Sequence, residues 1–261
     1  MISCVKEEDF YSTETENNEQ VSIELFTRLR SFDTPVSRAI ALEDDVDKDP
    51  WILVFTGGDG TAGNAVFAEA AQANINVGNK SYVLLRPQSG KSWVLILANP
   101  QDKFYVGSMS YDFSVDNFND LFTNKTLTNV TALLSAMPMT AGVVVNAPPF
   151  VNKMLPMSYL YEATEGINVN TKIGTSTVPL ELTRAVAKIV VKSTVADFTL
   201  SGIHSVYNMN KNTVLHNLSG NLETAASMVD YIRNDANEDF VSATANVTDP
   251  IYVYEAKSGT G

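Results

Sequence analysis

The sequence predicts a mainly β protein, a β-sandwich with a few short helical insertions. Three observations lead there. Short apolar or alternating segments recur along most of the 261 residues. Turn signals separate them, and only a few stretches carry helical chemistry. The composition is globular, with 44% hydrophobic and 18% charged residues, and the length suffices to bury a sizeable core without disulfides.

The head of the chain is acidic: residues 1–50 hold 13 acidic and 5 basic side chains, so −8 of the net −12 lies there. Residues 6–20 are polar and nearly free of aliphatics, and read as a leader or tether. Val21-Ser22-Ile23-Glu24-Leu25 alternates, and 21–29 reads as an edge strand packed on the sandwich. Trp51 to Phe55 is a short apolar run, a buried strand. Segments 81–85 and 92–98 read the same way, with 87–90 as the turn between them. Segment 177–182 alternates and 185–191 continues it. Arg184, Val186 and Lys188 then share one strand face, a solvated one. Segments 198–200, 205–207 and 251–254 complete the strands. Asn99-Pro100, Pro148-Pro149 and 208–212 are turn signals. Helices are expected at 64–73 (Ala-rich, Asn64 as N-cap), 114–121, 129–136 and 222–233.

Composition also excludes functions. The acidic balance repels phosphate backbones and argues against nucleic-acid binding. Two His, His204 and His216, and one Cys, Cys4, exclude most His/Cys metal sites and any intramolecular disulfide. Neither His has a partner motif for triad chemistry, so both read as surface or satisfied residues; Met157 reads as core. No stretch approaches the ~20 apolar residues of a transmembrane helix.

Gly57-Gly58-Asp59-Gly60-Thr61 comes after the buried strand and precedes the Ala-rich segment. A strand, a Gly-rich turn and a helix N-terminus would bind phosphate through free N–H groups. The string resembles the motif of diacylglycerol and NAD kinases, which makes a lipid or nucleotide kinase the rival reading. Ordinary turn chemistry accounts for the same five residues. The preferred reading is a turn, because the chain lacks the alternating βα layout of a kinase.

A second signal is spread along the chain. Leu155-Pro156-Met157-Ser158 leads to the stretch 178–191, which contains Leu182-Thr183-Arg184-Ala185-Val186-Ala187-Lys188-Ile189-Val190-Val191. The stretch 198–208 and then Tyr252-Val253-Tyr254-Glu255 come next. With Trp93 to Asn99, this series resembles the fimbrillin family, the type V pilins of Gram-negative anaerobes, from about Val21 onward. The resemblance implies a transthyretin-like β-sandwich and a non-enzymatic cell-surface pilus subunit without cofactor or metal. It implies export as an outer-membrane lipoprotein precursor, with the membrane reached only through a lipid anchor. An Arg-specific protease removes the first strand, and a strand from another subunit fills the groove, mediating adhesion to a surface ligand that the sequence does not name.

Carried onto this chain, residues 1–20 are the leader. Cys4, after Ile2-Ser3, is the lipid acceptor, although a stray N-terminal Cys is the plain alternative. Residues 21–38 are the removable strand and cleavage loop, with the cut between Arg38 and Ala39; Arg28 and Arg30 are alternatives within or at the end of the strand. Residues 39–255 are the sandwich domain and 256–261 a truncated tail, the family's second sandwich being absent. A surface-anchored binding lipoprotein of the same fold that never polymerises is the third reading.

Overall fold

The alternation at the head of the chain does form a strand, β1 (Val21–Leu29). Val21, Ile23, Leu25 and Thr27 are buried, Ser22 is exposed, and Glu24 and Phe26 lie between. The structure is a computed structural model that describes residues 20–29, 46, 48–77, 80–139, 150, 155–218, 228–232, 241–248 and 250–254. Strand β2 (Trp51–Thr56) leads through a turn and a 3-10 segment, Ala62–Asn64, to β3 (Val66–Gln72). Then come β4 (Asn74–Val77), β5 (Lys80–Leu85) and β6 (Ser92–Ala98). The hairpin of β7 (Lys103–Val106) and β8 (Met109–Asp112) precedes α1 (Val115–Phe122) and α2 (Leu127–Leu133). Strands β9 (Leu134–Ser135), β10 (Met157–Ala163), β11 (Lys172–Ile173) and β12 (Leu180–Arg184) come next. The rest are β13 (Val186–Ile189), β14 (Gly202–Ile203), β15 (Ser205–Asn210), β16 (Met228–Ile232), β17 (Val241–Thr244), β18 (Val247–Thr248) and β19 (Ile251–Tyr254).

The principal sheet runs β3-β2-β6-β10-β12-β1-β5-β4, with β11 beside β1. Its first and last strands are consecutive in the chain, separated only by Ala73, so the sheet folds over into a sandwich. Strands β2 and β6 read as unbroken apolar runs because both faces are buried. Ile52, Val54, Val94 and Ile96 face one cluster, shared with Ile23 and Leu25. Trp51, Leu53, Phe55, Trp93, Leu95 and Leu97 face the other, shared with both helices. Ser114 caps α1 by accepting from the Asn117 N–H, and Thr126 caps α2 from Asn129. Helix α1 buries Phe118 and Phe122 in the second cluster, where Phe118 stacks 5.0 Å from Phe104, and α2 adds Leu127 and Val130. Smaller sheets, β13-β19-β15-β16, β14-β17-β18 and β8-β7-β9, complete the fold. Among the described residues no helix is long and apolar enough to cross a membrane.

Several expectations are corrected. The Ala-rich segment 64–73 is not a helix capped by Asn64 but strand β3, paired with β2 from Trp51↔Gln72 to Thr56↔Val66. A bulge at Val54/Phe55 puts Phe67, Glu69 and Ala70 all inside, so alternation is lost and Ala content misleads; pairing overrides propensity. Within 222–233, residues 228–232 are strand β16. The helix expected at 129–136 starts earlier and ends at Leu133. The alternation from 177 to 191 is broken: β12 begins at Leu180, and the chain bends at Ala185. Arg184 and Lys188 therefore lie in different sheets, and Val186 between them is buried. Residues 198–200 form no strand; Phe198 N–H donates to the Val195 carbonyl. Asn208 is within β15, at a bulge with φ 58°. The 87–90 turn joins β5 to β6 without pairing them. The Pro148-Pro149 turn signal lies outside the described residues.

Candidate functional site

The candidate site is the slot that β1 occupies. The expectation of an edge strand is overturned: β1 is bonded along both sides. It pairs antiparallel with β5 from Val21↔Leu85 to Phe26↔Lys80. On its other side it runs parallel to β11 at Glu24↔Lys172 and Leu25↔Ile173, then to β12 from Thr27↔Leu180 to Leu29↔Leu182. Parallel neighbours come from far along the chain, so local alternation carried no sign of them. Ile23 and Leu25 are wholly inaccessible, and Val21 and Thr27 nearly so. Among the described residues the buried Thr27 hydroxyl has no hydrogen-bond partner.

The slot's walls are shaped for this backbone. Gly174 has φ +74°, and a Cβ there would lie 2.6 Å from the Phe26 carbonyl oxygen and 3.1 Å from the Leu180 nitrogen. Only glycine lets the β11–β12 turn lie this close to β1. At the rim, Lys80 Nζ lies 3.0 Å from the Glu24 carboxylate and over the rings of Phe26 and Tyr82 at 5.2 and 4.9 Å. The hydrogen bond from Lys80 holds the Glu24 carboxyl below its usual range. Across the top of β5, Glu69 accepts from the Arg86 backbone N–H at 2.9 Å and from Arg86 Nε at 3.4 Å. Burial pushes the Glu69 pKa up. Sequence reading missed Gly174, Lys80, Glu69 and Thr27, whose roles depend on contacts between distant segments.

Downstream of the slot the chain is anchored again. Val46 is buried in the same cluster as Ile23 and Leu25. Asp49 accepts from the Ile75 N–H at 2.8 Å, and Lys48 Nζ lies 3.2 Å from Asp102. The segment 30–45 thus connects a strand inside the core to a residue fixed in that core. Arg30, Arg38 and Ala39 fall in it, outside the described residues, as does Cys4 at the head. Arg28 is within β1, in register with Glu181.

The remaining candidates make local contacts or lie in the core. The Asp59 carboxylate closes its own turn, accepting from Thr61 N–H at 3.2 Å, Thr61 Oγ1 and Asn64 Nδ2 at 3.1 Å. The Thr61 hydroxyl is the main cause of its lowered pKa. The turn runs into a 3-10 segment and then β3, so it lacks the strand–turn–helix geometry of a phosphate site. His204 is exposed and bonds Ser205 Oγ at 2.6 Å. His216 Nδ1 lies 2.9 Å from the Ser158 hydroxyl, and burial pulls its pKa down to about 4. Met157 is core. Among the described residues no group of His, Cys, Asp and Glu could hold a metal ion.

No family model matches the chain, and no curated protein matches it. Solved structures do. The tip fimbrial protein Mfa3 from Porphyromonas gingivalis, with C-terminal truncation, superposes at TM-score 0.51 with 18% identity, covering 93% of this chain and 71% of that one. A protein described as a cell adhesion protein from Parabacteroides distasonis superposes at TM-score 0.57 with 11% identity, covering 93% and 72%. The chain has a fimbrillin-like fold. At these identities the likeness is one of fold, and it agrees with the resemblance carried by the segments at 155–158, 182–189 and 252–255.

Proposed function

We propose that this chain is a structural subunit of a cell-surface fimbria that mediates adhesion, and that β1 is a removable strand standing in for one from another subunit. The observation that carries this reading is the position of β1. It is the first described element in the chain, yet it is inserted between β5 and β12 with hydrogen bonds on both sides. Removing it would expose two unpaired edges and a row of vacated apolar pockets, which main-chain bonds and side chains of a partner strand would restore. The likeness to a tip fimbrial protein supports the same role.

On this reading an Arg-specific protease cuts between Arg38 and Ala39. Arg28 is held within the ladder, where a protease cannot seat the backbone. Val46 and Asp49 then keep the new N-terminal segment fastened to the body. Cys4 carries the lipid of an outer-membrane precursor; stable anchoring takes more than one acyl chain. Residues 39–255 act as the accepting body, and the partners are other subunits.

Limited digestion with a trypsin-like protease, then N-terminal sequencing, tests the proposal. The first new terminus should be Ala39, and the trimmed chain should melt lower once the buried Val21, Ile23 and Leu25 are lost, at roughly 1.5–3 kcal/mol each. A peptide of the β1 sequence should restore the melting temperature. A first cut elsewhere, or a trimmed chain of unchanged stability, would sink the strand-removal mechanism. A Cys4→Ser precursor that stays on membranes would sink the anchor.

A further inference from the structure

The β1 slot has a side-chain pattern of its own. Among the described side chains of β1, four alternate positions, Val21, Ile23, Leu25 and Thr27, point inward, and three of them are aliphatic. The fourth is a mismatch. Thr27 is 1% exposed, and among the described residues its hydroxyl finds no hydrogen-bond partner. A buried hydroxyl without a partner opposes burial, whereas valine has nearly the same shape and nothing to desolvate. The outward row carries charge information. Glu24 sits between Lys80 on the β5 side, at 3.0 Å, and Lys172 on the β11 side, its partner in register. A strand that leaves takes away the carboxylate these two cations face. The ladder on both sides also excludes proline from the strand interior.

Resting on the strand-removal reading above, we infer that the slot selects a proline-free donor strand with aliphatic residues at all four inward positions and an acidic residue at the Glu24 position, and that it prefers valine to the resident threonine at the fourth. The occupant is an extended segment of another subunit. The resident strand is a deliberately imperfect plug: the donor replaces it with a better fit at the Thr27 position while keeping the charge match at Lys80.

Two measurements test this. In the intact chain, Thr27→Val should raise the melting temperature, and Glu24→Lys should lower it at low ionic strength more than at high. In the chain cut after Arg38, three synthetic peptides are compared: VSIELFTRL, its Thr27→Val form and its Glu24→Lys form. The cut chain is refolded in the presence of each, so that collapse of an empty slot does not hide binding. The valine peptide should bind about tenfold tighter than the parent. The lysine peptide should bind roughly threefold weaker at low salt, with the gap closing at high salt. If the parent binds but the valine form gains nothing, or the lysine form loses nothing, the selectivity pattern is wrong while strand exchange stands. If no peptide binds, strand exchange fails and the inference with it, even where Thr27→Val stabilises the intact chain.

Discussion

At the scale of single residues, the ionisable groups inside the protein oppose one another. His216 reads in the sequence as an ordinary satisfied residue, and it is satisfied, by Ser158 of the Pro-Met-Ser segment at 2.9 Å. Its consequence for stability needed the burial, which no local pattern announces. Burial lowers its pKa from 6.5 to about 4, so between those values the unfolded chain binds the extra proton. The stability from the neutral imidazole is complete above about pH 6.5 and is lost as the pH falls toward about 4. The loss should be on the order of 3 kcal/mol. Glu69 acts the other way: its raised pKa lets the folded state hold a proton more readily, so its share falls as the pH rises. Comparing His216→Gln with the parent isolates the histidine. Denaturant unfolding at several pH values should give a flatter profile for the variant below pH 6.5. Parallel profiles would remove His216 as the cause.

At the scale of elements, legibility in the sequence depends on how each strand is buried. Strand β1 shows alternation because one face is wet, and β2 and β6 show unbroken apolar runs because neither is. Strand β3 hid itself: its bulge spoils the period and its alanines imitate a helix. The slot around β1 was half legible. Its inward aliphatics could be read, but not its parallel neighbours β11 and β12, nor Gly174, because these meet β1 across well over a hundred residues of chain. Gly174 is therefore a test of the slot independent of any protease. Gly174→Ala combines a positive φ with a Cβ 2.6 Å from the Phe26 backbone. It should destabilise the intact chain by more than about 1 kcal/mol. Hydrogen exchange should report the largest loss of protection in β1 and β11, with a smaller loss in α1 and α2. An alanine variant that melts like the parent would mean that the turn does not press on β1.

At the scale of the whole molecule, the strands after the bend at Ala185 have their own sheets but, among the described residues, no core of their own. Val186, Met209, Leu215, Tyr252 and Tyr254 belong to the cluster that holds Trp51, Trp93, Phe118 and Phe122. Tyr254 fastens the join. Its ring packs 5.3 Å from Phe150, its hydroxyl donates to the Met137 carbonyl, and Gln101 Nε2 donates to it at 3.1 Å. Burial pushes the phenol pKa up, so it remains a neutral donor. The resemblance in Tyr252-Val253-Tyr254-Glu255 marked this strand in the sequence, yet its mate around Met137 is a bare carbonyl, to which a side-chain pattern is blind. A shared core makes unfolding cooperative, so calorimetry should record one transition for both sets of sheets. Tyr254→Phe keeps the ring and deletes the hydroxyl, leaving the part-buried Met137 carbonyl without that donor. The cost should be about 1–3 kcal/mol, seen as a downward shift of the single transition. A shoulder that splits off while the main peak stays in place would mean that the strands after Ala185 unfold by themselves. On the proposed reading, a strand exchanged at β1 would then restore only the first part of the molecule, whereas with one transition it would stiffen all of it.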